Sequence, residues 1–387
     1  MSLSSQNTSV LQDIEDWLEE KNLKPFLRDL EDKQRIFPNG KKIETIFVIQ
    51  ALNLLLLRTE GAGDINEASL PESGMSVPVI QPQKLMSVTR RRLLQVLRMY
   101  RDSCRDSLKK YIREAKEHGF TKAEEHEISG WNCTIQPPLA KGGEKATDLG
   151  MDGYCPACTI FGVVLTNTLL NIEVALRKLG VNLTDAQLKA LSRELNLGLK
   201  TRVHFDPAFA TSRMIQPETH NKVLEGNIAT TGGSLFTEIH VMPGTVFIGR
   251  AVMHDLTWPE LLAVLYTLST LEEIGGRAGV YGTIKVELLG IRGGTYTLLS
   301  SLELADEVVK SGYKKPTEIV QFIRSKLKEL GFHDLSNNEV LEMIDPRCDN
   351  GTFEHLWASS LAYVKQVLDL VKELATSKSG QSRAKKK

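Results

Sequence analysis

The chain has 387 residues, 41% hydrophobic and 25% charged, and its 48 basic and 48 acidic side chains cancel. That balance defines a globular protein of one large elaborated domain or two ordinary ones, and it excludes a fibrous or low-complexity chain. Zero net charge gives no global signature of nucleic-acid binding, which instead depends on where the charges are placed. The opening "MSLSSQNTSVLQDIEDW" lacks a basic region followed by an apolar stretch. The longest apolar run, "VIQALNLLLL", is interrupted by Gln50 and Asn53 and falls far short of the ~20 residues that span a bilayer. A cytoplasmic protein without a membrane partner is expected. The cysteines at positions 104, 133, 155, 158 and 348 point to metal ligation or burial rather than a disulfide framework.

Along the chain, residues 9–20 predict an amphipathic helix opened by a Ser9/Gln12 capping box. "IETIFVI" predicts a strand, with "NLLLLR" as its hairpin partner or a following helix. Residues 61–83, rich in Gly, Pro and Ser, predict a loop, and 84–119 one long helix ending at Gly119. Residues 120–162 lose periodicity and gain Cys, Gly and Pro, as in an irregular insertion that needs a staple. Residues 163–195 predict helix, with a second capping box at Thr184 and Gln187. "GLKTRVHFDPAFA" (198–210) predicts a strand running into a loop, and 211–234 is too polar to build a core. Residues 235–254 predict a strand pair or one long bent strand. Thr257, Pro259 and Glu260 open a buried helix that runs through Leu271. A glycine-rich turn leads into the strand "TIKVELLGI", and two helices, near 315–330 and 352–375, close the chain before a basic tail. Strands alternating with helices in this way suggest an α/β sandwich, with the ferredoxin-like βαββαβ arrangement as candidate.

Four groups of residues can carry chemistry. Cys155 and Cys158 form a C-x-x-C knuckle that suits zinc, with Cys133 as third ligand in the same insertion. His126, His118, Asp152 and Cys104 are within reach as the fourth, of which His126 is taken. A redox pair would follow a strand, and none precedes this one. The site therefore reads as a closed structural one. Secondly, "TRRRLLQVLR" sets Arg90, Arg91, Arg92 and Arg98 on a helix just after Lys84, where some can clamp phosphates. Thirdly, "IGGRAGVYGTIK" offers Gly275 and Gly276 for close backbone approach, with Arg277 and Lys285 adding charge. It lacks the features of a Walker or Rossmann loop. Finally, His204 and Asp206 share a strand face but find no partner nucleophile, and the flanking Arg202 and Arg213 suit RNA contacts at least as well.

"RVHFDPAF", "HVMPGTVFIGRAV", the apolar helix 258–271 and "IGGRAGVYGTIK" resemble, in that order, the backbone subunit of type I-D CRISPR Cascade, and "CPACTIFG" resembles its zinc-loop element. That subunit belongs to the Cas seven superfamily of RAMP proteins. The resemblance covers roughly residues 40–300. It implies an α+β fold, with an RRM-like (ferredoxin-like βαββαβ) core carrying zinc-binding, helical and thumb or lid insertions. The segments expected are an N-terminal helical extension (1–38), the first half of the core with the basic helix (39–117), a zinc-binding insertion (118–162) and a helical insertion (163–197). The second half of the core (198–300) follows with its thumb (207–234), then a C-terminal helical region (301–376) and a basic tail (377–387). Implied partners are CRISPR RNA, adjacent copies of the chain, other Cascade subunits and target nucleic acid paired to the guide. The grip would be on the RNA backbone, without sequence specificity and without catalysis. Relatives often carry Cys at the position of Asp152, and Arg near Val280, where Arg277 is the substitute here. Type III paralogues cleave RNA with a thumb-loop Asp, and Asp206 lies near that region.

Overall fold

The structure, a computed structural model, describes residues 3–57, 65–135, 150–165, 169–181, 183–187, 197–221, 235–275, 280–343 and 351–384. Helix α1 (Leu3–Glu20) starts ahead of Ser9, so Ser9 and Gln12 lie inside it, and Gln12 bonds Asp16 at 2.8 Å instead of capping. The β-branched "IETIFVI" forms β1 (Lys42–Ala51) as predicted. The described part of "NLLLLR", residues 53–57, forms neither a hairpin partner nor a helix: Leu55 bridges Val241, and Leu55, Leu56 and Leu57 are buried. The loop predicted over 61–83 contains β2 (Glu67–Ser69) and β3 (Ser76–Ile80). Their Gly and Pro neighbours concealed "SVPVI", whose Val77, Val79 and Ile80 are buried. The single helix over 84–119 is two, α2 (Pro82–Met99) and α3 (Arg105–Glu117). They break around Cys104, which is buried and disulfide-bonded and so takes no part in metal ligation.

The irregular insertion carries α4 (Thr121–Ser129) and α5 (Pro156–Phe161). Among the described residues of 163–195, α6 (Ile172–Lys178) and 185–187 are helical as predicted, whereas β4 (Val163–Leu165) is a strand paired with β5 (Leu197–Leu199). The Thr184–Gln187 box does form, with Gln187 accepting from Thr184 N–H at 3.0 Å and Gln187 N–H meeting the Thr184 hydroxyl at 3.4 Å. Next come β6 (Val203–Phe205) and β7 (Ala208–Ala210), then β8 (Ile215–Asn221) paired with β9 (Leu235–Val241) as a separate two-stranded ribbon. Segment 235–254 is thus two strands that diverge, since β10 (Val246–His254) joins the main sheet. Helix α7 (Trp258–Ser269), β11 (Ile284–Gly294), α8 (Ser301–Ser311), α9 (Pro316–Glu329), β12 (His333–Asp334), α10 (Asn337–Met343) and α11 (Thr352–Ala384) complete the chain.

The sheet runs β12-β11-β1-β10-β7-β3-β2, with β6 also on β10, and its paired neighbours are antiparallel. If β1, β7, β10 and β11 are counted first to fourth, they lie fourth-first-third-second. Helix α2 falls between the first and second, and α7 between the third and fourth. β1 is buried from Ile43 to Ile49, so both faces of the sheet are covered. Phe47 packs edge-on against Phe205 at 6.5 Å on one face. On the other, Val48 and Val246 share a cleft with Val320 of α9, and α8 packs on β7 and β10.

One buried ion cluster ties these layers together. Glu260, at the start of α7, accepts two hydrogen bonds from Arg202, at 2.6 and 2.9 Å, and one from Arg35 at 3.0 Å. Arg202 also donates to the carbonyl of Thr159 in α5, and Arg35 to the carbonyl of Ser359 in α11. Arg202, expected at RNA, is therefore an internal counter-ion, 6% exposed. Burial opposes ionisation of Glu260, but Arg202 and Arg35 outweigh it and hold the carboxyl down at about 2.

Glu260→Gln leaves two guanidiniums without an anion, and is expected to cost about 3–5 kcal/mol in urea unfolding. Because the folded carboxyl sits below its ordinary 4.5, the contribution of Glu260 is full above that pH and is lost as pH falls toward 2. Wild-type stability measured across this window should fall more steeply than that of Glu260→Gln.

Candidate metal centre and arginine cleft

The thiols of Cys133, Cys155 and Cys158 and a carboxylate oxygen of Asp152 all lie within 4.8 Å of one another, and all four residues are buried. Cys155 precedes α5 and Cys158 lies within it, so one helical turn delivers the C-x-x-C pair to one side. Cys133 closes the other side, its sulfur 3.7 Å from that of Cys158. Asp152 is anchored through Oδ1 to the backbone N–H groups of Tyr154 (3.1 Å) and Cys155 (3.0 Å), and through Oδ2 to the indole N–H of Trp131 (2.8 Å). Gly153, at φ +82°, makes that tight turn, where a Cβ would stand 2.6 Å from Leu165 Cδ2.

Three thiols and a carboxylate are a donor set for a thiophilic divalent ion, and their mutual spacing suits one shared ion. Burial pushes the Asp152 carboxyl up to about 7, helped by the Cys158 thiolate. It pushes the thiols of Cys133 and Cys155 well above their ordinary value as well. Burial also opposes ionisation of Cys158, but hydrogen bonds from Cys133 and Cys155 and the charge of Arg90 hold its thiol well below the usual range. His126, the expected fourth ligand, is not in this group. Its Nδ1 hydrogen-bonds the Tyr154 hydroxyl at 2.6 Å, in a shell of buried aromatic rings with Phe120, Trp131 and Trp357. Asp152 takes the place assigned to His126. The signal was in the sequence: an Asp followed by Gly, three residues before Cys155, is a turn that points its carboxylate at the knuckle.

The expected RNA-contacting residues separate. Arg90 Nη2 lies 3.5 Å from Cys158 Sγ, and Arg98 donates to the Cys133 carbonyl, so both turn toward the cysteines. Arg91 and Arg92 instead line a surface cleft with Gln95, Glu272, Glu273 and Gly275. Arg91 is exposed, and Arg92 Nε donates to the Thr270 hydroxyl at 3.2 Å. Gly275 forms the cleft wall at φ +109°, close against the Leu56 carbonyl. Lys84 is half-buried, and burial lowers its pKa. Arg213 pairs with Glu67 at 2.7 Å, and Lys285 lies in a different cleft beside Pro316 and Gln321. Gly276, Arg277 and residues 222–234 of the expected thumb lie outside the described residues. Asp206 is held by Arg250 at 2.8 and 3.0 Å and by the Ser301 N–H at 3.2 Å, while His204 stacks edge-on against His254.

A doubly covered antiparallel sheet, a metal-capable insertion and a basic helix beside a glycine turn define the class: a mixed α/β protein with peripheral insertions. The chain matches the model of the Csc2 Crispr family over residues 25–387. It is 44% identical to the protein in the crystal structure of Thermofilum pendens Csc2, covering 91% of this chain and 96% of that one at a TM-score of 0.71. The chain belongs to the Csc2 Crispr family. A chain of a CRISPR RNA-guided surveillance complex aligns at 11% identity over 75% of this chain and 84% of that one, TM-score 0.39. A chain of such a complex in a pre-nicking state aligns at 10% identity over 78% and 99%, TM-score 0.43. Likeness at that level decides nothing about this chain. No curated protein matches it. Among the described residues, no helix is long and apolar enough to cross a membrane.

Elemental analysis of the purified protein should give one tightly held divalent ion per chain. Cys155→Ser and Asp152→Asn should each reduce that content and lower the melting temperature. His126→Ala should leave the stoichiometry at one, and loss of the ion in that variant would restore His126 as a ligand.

Proposed function

We propose that this chain is the CRISPR RNA-binding backbone subunit of a type I-D Cascade, one of the Cas seven superfamily. In this reading copies stack head to tail along the guide, other Cascade subunits join them, and target nucleic acid pairs with the guide. The observation that carries it is the cleft of Arg91 and Arg92 against the Gly275 turn, in a member of a CRISPR family. Arginine offers charge and forked donors to phosphate oxygens, and a glycine turn lets the chain approach a sugar–phosphate backbone closely. Such contacts carry no sequence information, as suits a subunit whose specificity is supplied by base pairing of the guide.

The strand order fourth-first-third-second, with its two crossover helices, supports a ferredoxin-like, RRM-like core. The ribbon of β8 and β9 is the stem of the thumb. Zinc is the ion that best fits three thiolates and a carboxylate, and a closed four-ligand site staples the insertion without doing chemistry. The chain acts without catalysis: both oxygens of Asp206 are engaged by Arg250, so this carboxylate is no free general base, which disfavours an RNA-cleaving subunit built on it. The carboxylates of Glu272 and Glu273 at the cleft oppose phosphate, and a neighbouring copy's basic surface is their natural partner.

Single-stranded RNA of arbitrary sequence should bind at low salt, with log K falling linearly with log salt. Removing Arg91 and Arg92 together should flatten that slope by about 0.7 for each phosphate left without its cation. Glu272→Gln should tighten binding. Absence of RNA binding at low salt would refute the assignment. RNA should stay intact with wild type and Asp206→Ala alike, and cleavage by wild type alone would make Asp206 catalytic.

A further inference from the structure

Helix α2 carries its arginines on divergent sides. Arg90 and Arg92 are two residues apart and project about 160° apart around the helix axis. Arg92 faces the cleft, whereas Arg90 reaches toward α5 and places Nη2 3.5 Å from the sulfur of Cys158. Nε of the same guanidinium is informative: it is buried and has no hydrogen-bond partner. Arg90 is half-buried, and a cation partly withdrawn from water in this way is stabilised by an anion beside it.

The cysteine–aspartate centre supplies that anion. Three thiolates and one carboxylate around a divalent ion leave the loaded site with a net negative charge, and all four ligands are buried. Of the guanidiniums described, Arg90 is the one placed within hydrogen-bond reach of a ligand sulfur. Arg98, eight residues and about 12 Å further along α2, donates to the carbonyl of Cys133 and steadies the loop that brings in that ligand.

We propose that Arg90 belongs to the metal centre rather than to the RNA site: it is the counter-charge and hydrogen-bond donor that stabilises the metal-bound Cys158 thiolate and docks the insertion onto α2. The metal half of this proposal stands on the cysteine geometry alone. The contrast with Arg91 rests on the RNA-binding function proposed above.

The test crosses two variants with two measurements. Zinc affinity is read by competition with a chromophoric chelator, and single-stranded RNA affinity is read at saturating zinc. Arg90→Gln should weaken zinc by about 10–100-fold, the usual cost of losing a partner of a metal ligand, while its RNA affinity stays within about twofold of wild type. Arg91→Ala should do the reverse. Arg90→Lys keeps the charge and one donor, and should fall between wild type and Arg90→Gln in zinc affinity, which preserves the test if Arg90→Gln does not fold. Wild-type zinc affinity in Arg90→Gln, or in Arg90→Lys should it be the only variant to fold, together with weakened RNA binding, would overturn the proposal and return Arg90 to the RNA site. If the wild type binds zinc but no RNA, the proposed function fails, while the zinc measurement still decides the role of Arg90.

Discussion

The carboxylate of Glu260 is the junction on which the architecture depends. It is fully buried, yet it is kept ionised by two arginines from distant segments of the chain. Its Oε2 also accepts the N–H of Thr257, closing the first turn of α7. Arg202 carries the connection to α5 beside the cysteines, and Arg35 carries it to α11. The ring of Tyr363 lies under both guanidiniums, with the Arg202 carbon 4.3 Å from its centroid, and helps to accommodate the second positive charge. A carboxylate in this position would be prohibitive alone, and two arginines would be prohibitive without it. The N-terminal segment, the cysteine-bearing insertion, α7 and the C-terminal helix are therefore fixed relative to one another by one mutually dependent set of charges.

That closure has a functional consequence. A sheet of the RRM kind, as proposed for this core, commonly stacks bases on aromatic side chains of an open face. Here the face bearing Glu44, Val48 and Val246 is covered by α8 and α9, and Arg250 on that face is committed to Asp206 at the entry to α8. The opposite face is filled by Phe47, Phe205 and the helices α2 and α7. With both faces occupied, the proposed RNA contact falls, among the described residues, to a helix edge and a turn, where Arg91, Arg92 and Gly275 converge. The burial that stabilises the fold thus places the proposed RNA contact away from the sheet.

Much of this was legible locally. β1, β11, α7 and the C-terminal helices announce themselves by β-branched runs, caps and apolar periodicity, and Cys155-x-x-Cys158 by spacing alone. What the sequence concealed depends on partners far along the chain. β3 is a strand because β7 pairs with it, not because "SVPVI" outweighs its Gly- and Pro-rich surroundings. Arg202 reads the same whether its anion is a phosphate or Glu260, 58 residues away in sequence. His126 and Asp152 were both within reach of the knuckle, and what separates them is placement: a carboxylate oxygen of Asp152 lies within 4.8 Å of all three thiols, and His126 is not in that group. The break after α2 was hidden because Tyr100 and Leu108 kept the helical stripe apparently intact across it.

The zero net charge also finds a physical account in these pairings. Many of the cations are matched within the chain, as Arg28 is to Asp32, Arg213 to Glu67, Arg250 to Asp206 and Arg292 to Glu44. Composition counts such pairs as if they were open to a ligand, although their fields largely cancel at a distance. The "TRRR" run shows the same thing on a smaller scale. One of its arginines turns toward a thiol centre, and its neighbours turn toward a cleft whose rim also carries Glu272 and Glu273. A long polyanion is gripped by local charge repeated at intervals. A subunit that stacks along RNA therefore needs only a few unmatched cations, provided each copy presents them at the same place. A strongly basic chain would bind any nucleic acid and would repel its own neighbours in the stack. Near-neutrality with arginines sorted by the fold suits the proposed stacking of copies along a guide.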